Sequence, residues 1–278
     1  MKNKSPLKWP GGKTILANFI LPHFPPHDCY VEVFGGSGAL LFAKQPSRVE
    51  VFNELNEDVT NFFSVLRDQQ LRTELIESLR YTPCSEVEYV RCKEPTDDIV
   101  ERARRFFVGI RLGFNGKQRA TWSFSRRQNT AMTFANVVDR LESTAQRLRH
   151  VQIMCGDFEQ VIDRFDGRDT LLYVDPPYVP DTRATLNLYQ HEMTVTDHER
   201  LLECLISAKG MVVLSGYRHA LYDDALVGWT RISHVVYAHG AYSPGKKLPK
   251  REEILWLNPL AVERHGNIHD GLVDDDAA

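Results

Sequence analysis

Residues 30–56 constrain the fold most. Tyr30-Val31-Glu32-Val33-Phe34 is a β-rich run that stops at Gly35-Gly36-Ser37-Gly38. Ala39-Leu40-Leu41-Phe42-Ala43 then opens a helix, and Val49-Glu50-Val51-Phe52 is a second strand. Strand, glycine turn, helix and strand at this spacing predict the start of a doubly wound α/β sheet. Buried-strand character returns in Val151-Gln152-Ile153-Met154, Leu171-Leu172-Tyr173-Val174 and Met211-Val212-Val213-Leu214. The runs 231–237 and 253–257 read as a terminal antiparallel pair. Helices are expected over 14–24, with Ile15, Leu16, Phe19 and Ile20 on one face and Pro22 closing it, and from Glu57 to Leu79. A third should run to about Ala208, opened by Thr196-Asp197-His198-Glu199 read as a capping box.

Residues 80–150 break this pattern. They read as helical or irregular, without a strong buried strand, and Asn115-Gly116 predicts a loop or β-hairpin. Between residues 101 and 150 there are eleven Lys and Arg against three Asp and Glu, in a chain whose net charge is −3. Such a block suits phosphate contacts. A solvated arginine-rich helix face explains the charge equally well. The expected organisation is therefore one α/β domain, residues 1–56 and 151–260, interrupted by a mostly helical, basic insertion at 57–150. A flexible polar tail at 261–278 follows.

Several classes are disfavoured. No run approaches the roughly 18 apolar residues of a membrane span, and residues 1–10 lack a signal-peptide core, so the cytosol of a host cell is the expected location. Cys29, Cys84, Cys92, Cys155 and Cys204 are odd in number and far apart, which predicts reduced, mostly buried thiols rather than disulfides or zinc. The histidines have no zinc spacing, and no metal is expected. Gly12-Lys13-Thr14 resembles the end of a P-loop, but Leu7 stands where that motif needs glycine. Leu41 stands where a dinucleotide fingerprint needs Gly or Ala. Ser215 is not in a nucleophile elbow.

The chemistry concentrates in Asp175-Pro176-Pro177-Tyr178, directly after the strand 171–174, where open α/β sheets place their ligands. An amino group conjugated to an aromatic ring is a poor nucleophile, because its lone pair is delocalised. A carboxylate accepting one amino hydrogen and a backbone carbonyl accepting the other localise that pair as attack begins. Asp175 would be the first acceptor and the Pro176 carbonyl the second, held by the proline pair. Tyr178 would stack on the base, a contact worth about 1–3 kcal/mol. The structural alternative is a Pro-Pro turn with Tyr178 in the core.

Four segments in order, Pro6-Leu7-Lys8-Trp9-Pro10-Gly11-Gly12-Lys13, Glu32-Val33-Phe34-Gly35-Gly36-Ser37-Gly38, Gly156-Asp157-Phe158 and Asp175-Pro176-Pro177-Tyr178, resemble the Dam-type DNA adenine-N6 methyltransferases. The similarity runs from Pro6 to about Pro259. It implies a Rossmann-like methyltransferase sheet, S-adenosylmethionine as cofactor, and double-stranded DNA as partner, with the target adenine flipped out of the stack. It implies a cofactor pocket lined by Trp9, Lys13, Glu32, Phe34, Gly35, Gly38, Glu54, Asp157, Phe158 and Asp175. Glu54 stands where the family usually has Asp to hold the ribose, and a helix-start acid is the competing reading. Phe158 reads equally as core. The resemblance also implies a DNA-reading hairpin, with Lys8, Arg111, Phe114, Asn115, Lys117, Arg119, Arg126 and Arg127 facing DNA. Phe114 could act as a wedge during flipping. Beyond Arg119 the sequence leaves the pattern of the GATC-reading members, so no target site is carried over.

Asp175→Ala is expected to abolish transfer. The rivals are another amino methyltransferase, acting on cytosine N4 or RNA adenine, and a DNA-binding decoy that has lost catalysis. A monomer is the default, with a dimer possible. Restriction-linked modification, host marking and phage protection are all compatible roles.

Overall fold

The computed structural model describes residues 4–116, 120–182, 191–237, 250–266 and 271–273. In chain order the first elements are α1 (Ala17–Ile20), β1 (Cys29–Glu32), α2 (Ala39–Ala43), β2 (Val49–Asn53), α3 (Glu57–Arg67) and α4 (Gln69–Arg80). Then come α5 (Glu86–Arg91), α6 (Ile99–Leu112), α7 (Thr130–Val138), α8 (Leu141–Leu148), β3 (Val151–Met154), α9 (Phe158–Phe165) and β4 (Thr170–Val174). The remainder are α10 (Val195–Ser207), β5 (Met211–Gly216), α11 (Ala220–Ala225), β6 (Thr230–Tyr237), β7 (Lys250–Leu257), α12 (Pro259–His265) and β8 (Gly271–Val273). The expected strands are all present in a mixed, Rossmann-like α/β fold. They group into two compact units, Met1–Ala17 with Gly35–Gly156 and Asn18–Phe34 with Asp157–Ala278. By this grouping β2 and β3 fall with the helices of the insertion.

In the first unit β2 and β3 pair in parallel, Glu50 opposite Val151 and Asn53 opposite Met154. The Asn53 side chain continues the ladder, donating to the Gly156 carbonyl at 3.0 Å and accepting from its N–H at 2.9 Å. Helix α3 packs against α4, α6 and α8. Its Phe62 stacks on Phe107 of α6 at 5.3 Å, and Phe63 meets Phe52 of β2 edge-on at 5.2 Å. The helical stretch expected over 57–79 is divided into two helices. Asp68 adopts an extended conformation and its carboxylate accepts from the N–H groups of Gln70 and Leu71, ending α3 and capping α4.

In the second unit the strand order is β1-β4-β5-β7-β6-β8. β1, β4 and β5 run parallel, and β7 is antiparallel to both β5 and β6. The expected terminal pair is therefore β6 and β7, with β7 docked on β5. Tyr30, Leu172, Val213, Leu255 and Trp256 are fully or almost fully buried, as strands covered on both faces require.

Four expectations are corrected. Helix α1 starts at Ala17 rather than residue 14, because Gly11 adopts φ +70° and Gly12 donates back to the Trp9 carbonyl, so residues 10–16 turn instead. Ile15 is consequently exposed. The capping box of α10 is Thr194 with Asp197, each side chain bonding the other's backbone N–H, two residues before the expected pair. Part of the 261–278 tail is structured. The Asn258 side-chain Oδ1 accepts from Ala261 N–H and Val212 N–H, Pro259 begins α12, Gly266 ends it at φ +76°, and β8 pairs with β6. Of the five thiols only Cys92 is buried, and Cys155 is exposed. Among the described residues no helix is long and apolar enough to cross a membrane, and no group of three or more His, Cys, Asp or Glu could hold a metal.

Candidate active site

Asp175 follows β4 directly, at its carboxyl end. In the parallel register Val174 lies opposite Leu214, so the next residue of β5, Ser215, comes alongside Asp175. The Ser215 hydroxyl donates to Asp175 Oδ1 at 2.9 Å and lies 3.0 Å from the Tyr173 hydroxyl. Tyr173 and Ser215 are fully buried, Asp175 half-buried. Burial, and after it the Asp175 charge, push the Tyr173 hydroxyl well above its ordinary pKa, so it stays protonated. One carboxylate oxygen is thus fixed in position by a neutral donor.

Tyr178 is oriented just as firmly. Its hydroxyl donates to Glu253 of β7, a side chain in a residue only 3% exposed. Its ring stands edge-on to Tyr217, with centroids 4.5 Å apart. Burial, then Glu253 and Asp175, raise its pKa well above the ordinary tyrosine value. Arg251 Nη1 donates to the Tyr217 hydroxyl at 3.2 Å and lies over its ring. The sequence reading missed Ser215, Tyr217 and Glu253 as site residues. They lie on β5, just after it and on β7, far along the chain from Asp175, and only the sheet register brings them in. If Tyr178 stacks on a base, as the sequence reading expects, releasing it should weaken binding of that base. Glu253→Ala is expected to raise KM for DNA by about 5-fold or more, within the range of one base–aromatic stack, with a smaller effect on kcat. Steady-state kinetics on one duplex checks this split, and Glu253→Gln, which keeps an acceptor, should recover much of the loss.

The glycine turn belongs to the first unit. A Cβ on Gly35 would lie 2.2 Å from the Phe52 ring, and one on Gly36, at φ +50°, would lie 2.9 Å from the Trp9 indole nitrogen. Glu54 holds this turn closed. Its Oε2 accepts from Gly36 N–H at 2.7 Å and its Oε1 from Asn56 N–H at 2.9 Å. It is not the cap of α3, which is Asn56. Lys13 is 5% exposed and donates to the Gly11 carbonyl at 3.3 Å.

In the second unit Glu32 is 3% exposed and accepts from the Tyr30 hydroxyl. Phe34 and Phe158 face each other at 5.8 Å and 35°. Asp157 caps α9 through Glu159 N–H and lies 3.5 Å from Arg200. Arg200, also unforeseen, sits over the Phe158 ring at 5.1 Å and pairs with Glu159 at 2.8 Å.

Of the residues expected to face DNA, Lys117 and Arg119 lie outside the described residues. The expected hairpin is a short closure. Gly113 bridges Trp122, Phe114 N–H donates to Thr121, and Asn115 and Gly116 both take positive φ. Phe114 is exposed at 54% on this turn, and Arg126 and Arg127 are exposed beyond it. Lys8 is exposed and Arg111 half-buried at the end of α6. Much of the basic block is spent internally. Arg102 pairs with Asp58 and Glu57, Arg104 with Glu88 and Glu101, Arg105 with Glu101, and Arg147 with Glu50. Among the described residues Arg111, Arg126, Arg127, Arg140 and Arg149 have no ion-pair partner.

The family model for D12 class N6 adenine-specific DNA methyltransferases matches residues 9–235. The DNA adenine methylase of Salmonella typhimurium is 28% identical over 279 residues, covering 92% of this chain and 95% of that protein. The DNA adenine methylase of Escherichia coli (strain K12) is 27% identical over 225 residues, 76% of this chain and 77% of its own. The Type II methyltransferase M.MjaIII of Methanocaldococcus jannaschii is 27% identical over 208 residues, covering 65% of this chain and 71% of its own.

Proposed function

The chain belongs to the D12 class of N6 adenine-specific DNA methyltransferases, and from that premise we propose that its methyl donor is S-adenosylmethionine and that Asp175, Pro176 and Tyr178 hold the target adenine. The observation that carries the site is the Ser215–Asp175 hydrogen bond beside a Tyr178 anchored by Glu253. It leaves a half-exposed carboxylate with one oxygen fixed, next to a fixed aromatic ring. Asp175 accepts one N6 hydrogen and the Pro176 carbonyl the other, which localises the N6 lone pair. Tyr178 stacks on the flipped base.

The residues present suit the donor. Its amino-acid end carries a carboxylate, which suits the buried cation Lys13, and an ammonium, which suits the buried carboxylate Glu32. In the first unit Trp9, Gly35 and Gly38 would line the pocket, and Glu54 would take ribose hydroxyls. In the second, Phe34, Phe158 and Asp157 would meet the adenine ring, with Asp175 bordering the donor. Bound, the cofactor supplies an electrophilic methyl group on a sulfonium. The protein's own contribution is to orient N6 and exclude water. Residues 57–150 act as the target-recognition subdomain, with Arg126, Arg127 and the 114–116 turn toward DNA, and Lys117 and Arg119 in the same role.

The test is methylation of a random-sequence duplex with S-adenosylmethionine, read by single-molecule sequencing. N6-methyladenine within one motif is the expected result. The mark on nearly all adenines keeps the chemistry and makes the insertion a non-specific clamp. An unmarked duplex, with the donor bound and intact, overturns the reading in favour of a binding-only protein or another acceptor.

A further inference from the structure

A cavity of about 770 Å³ opens in the first unit, walled by the N-terminal segment, the end of α6 and the α7–α8 corner. Lys4, Lys8, Arg111 and Arg140 line it, and among the described residues no acidic side chain does. These cations sense one another. Burial, then the Arg111 charge, push the Lys8 amine below its ordinary range, and burial, then the Arg140 charge, do the same to Arg111. Arg111 Nε is buried without a hydrogen-bond partner. Arg104, about two helical turns earlier on α6, spends its guanidinium on Glu101 and Glu88. Arg140 is exposed and commits only Nε, to the Asn136 carbonyl at 3.2 Å.

The wall is closely packed beside Lys8. Gly116, at φ +74°, packs so tightly that a Cβ there would lie 2.5 Å from the Lys8 carbonyl oxygen, which seats Lys8 against the 114–116 turn. Thr133 and Asn136 of α7 add neutral polar groups, and Leu7, Trp9 and Val137 add apolar surface. Clustered cations with no acid among them, one carrying a buried and unmatched donor, are complementary to an anion. The apolar wall suits the sugar attached to it.

We propose that this cavity is a socket for one backbone phosphate of duplex DNA, gripped jointly by Lys8, Arg111 and Arg140. It rests on the reading of the chain as a DNA methyltransferase and adds Arg140, on the far side of the insertion from the 114–116 turn in sequence, to the residues that hold the substrate. A phosphate contact fixes register on the duplex without reading bases.

The experiment measures duplex affinity of the full chain against potassium chloride concentration for the wild type, Arg140→Ala, Arg140→Lys and Lys8→Ala/Arg140→Ala. Each phosphate neutralised contributes about 0.9 to the slope of log affinity on log salt. The double variant should lose about 0.9 of slope and weaken binding alike on every duplex sequence, while Arg140→Lys keeps most of the slope. A double variant with native melting temperature and unchanged slope overturns the proposal, as does a loss confined to one sequence. Thermal protection of the wild type but not the double variant by inorganic phosphate, with equal DNA affinity, overturns it in favour of a free-anion site. A wild type that binds no duplex at any salt overturns instead the DNA-substrate reading beneath it.

Discussion

Asp175→Ala should reduce methyl transfer by about 10²–10⁴-fold, the span attributed to a positioned group that handles a proton in the transition state, while melting at nearly the wild-type temperature. The activity loss follows from the N6 lone pair. On the proposed reading, alanine removes one of the two acceptors that localise it, and the Pro176 carbonyl alone does not hold both hydrogens. The stability expectation follows from the surroundings. Asp175 is half-buried, and Ser215, which donates to it, keeps the Tyr173 hydroxyl at 3.0 Å as a second partner. Asp175→Asn separates shape from charge. The amide oxygen still accepts from Ser215, so the variant should retain more activity than alanine, yet less than wild type because a neutral oxygen is the weaker acceptor. Single-turnover kinetics with saturating DNA and donor is the appropriate measurement, since it isolates the chemical step. Near-normal turnover in Asp175→Ala would remove Asp175 from the reaction altogether.

What the sequence made legible was whatever a local pattern encodes. Apolar runs marked β2 to β5, the glycine run marked the turn after β1, and an acid followed by two prolines at a strand end marked the site. What it hid was set at long range. Ser215 and Glu253 have no motif around them, and they become site residues only because β5 lies beside β4 and β7 beside β5. The basic block shows the same limit from the other side. Counted within 101–150 it is strongly positive, but Glu50, Glu57, Asp58 and Glu88 lie outside that window and neutralise Arg147, Arg102 and Arg104 in three dimensions. The block therefore divides into arginines committed to acids within the unit and, among the described residues, Arg111, Arg126, Arg127, Arg140 and Arg149, which have no ion-pair partner. The misplaced capping box has a simpler cause. Thr194 and Thr196 each stand three residues before an acid, and spacing alone does not choose between them.

Glu50→Gln should destabilise the fold by about 3–5 kcal/mol at neutral pH, the cost of removing one partner from a buried ion pair. Glu50 is 1% exposed and sits between Lys44 and Arg147, whose side chains are 6% and 7% exposed. Its Oε1 takes Lys44 Nζ at 2.7 Å and Arg147 Nη2 at 2.8 Å, and its Oε2 takes Arg147 Nη1 at 2.5 Å. An amide fills the same space but brings no charge, and its NH2 faces donors. Arg147 and Lys44 then lose the charge of Glu50. Burial alone would raise the Glu50 pKa, but the hydrogen bonds and charges of Arg147 and Lys44 outweigh it and hold the carboxyl below its ordinary value. A carboxylate with a depressed folded-state pKa adds stability that is complete above its unfolded value, about 4.3. That stability is lost as pH falls through the folded value. The gap between wild type and Glu50→Gln should therefore be widest near neutrality and narrow below about pH 4. Chemical denaturation of both proteins at neutral and acid pH tests this. A gap under 1 kcal/mol at neutral pH, or one that does not shrink in acid, would mean that this pair contributes no more than an exposed one.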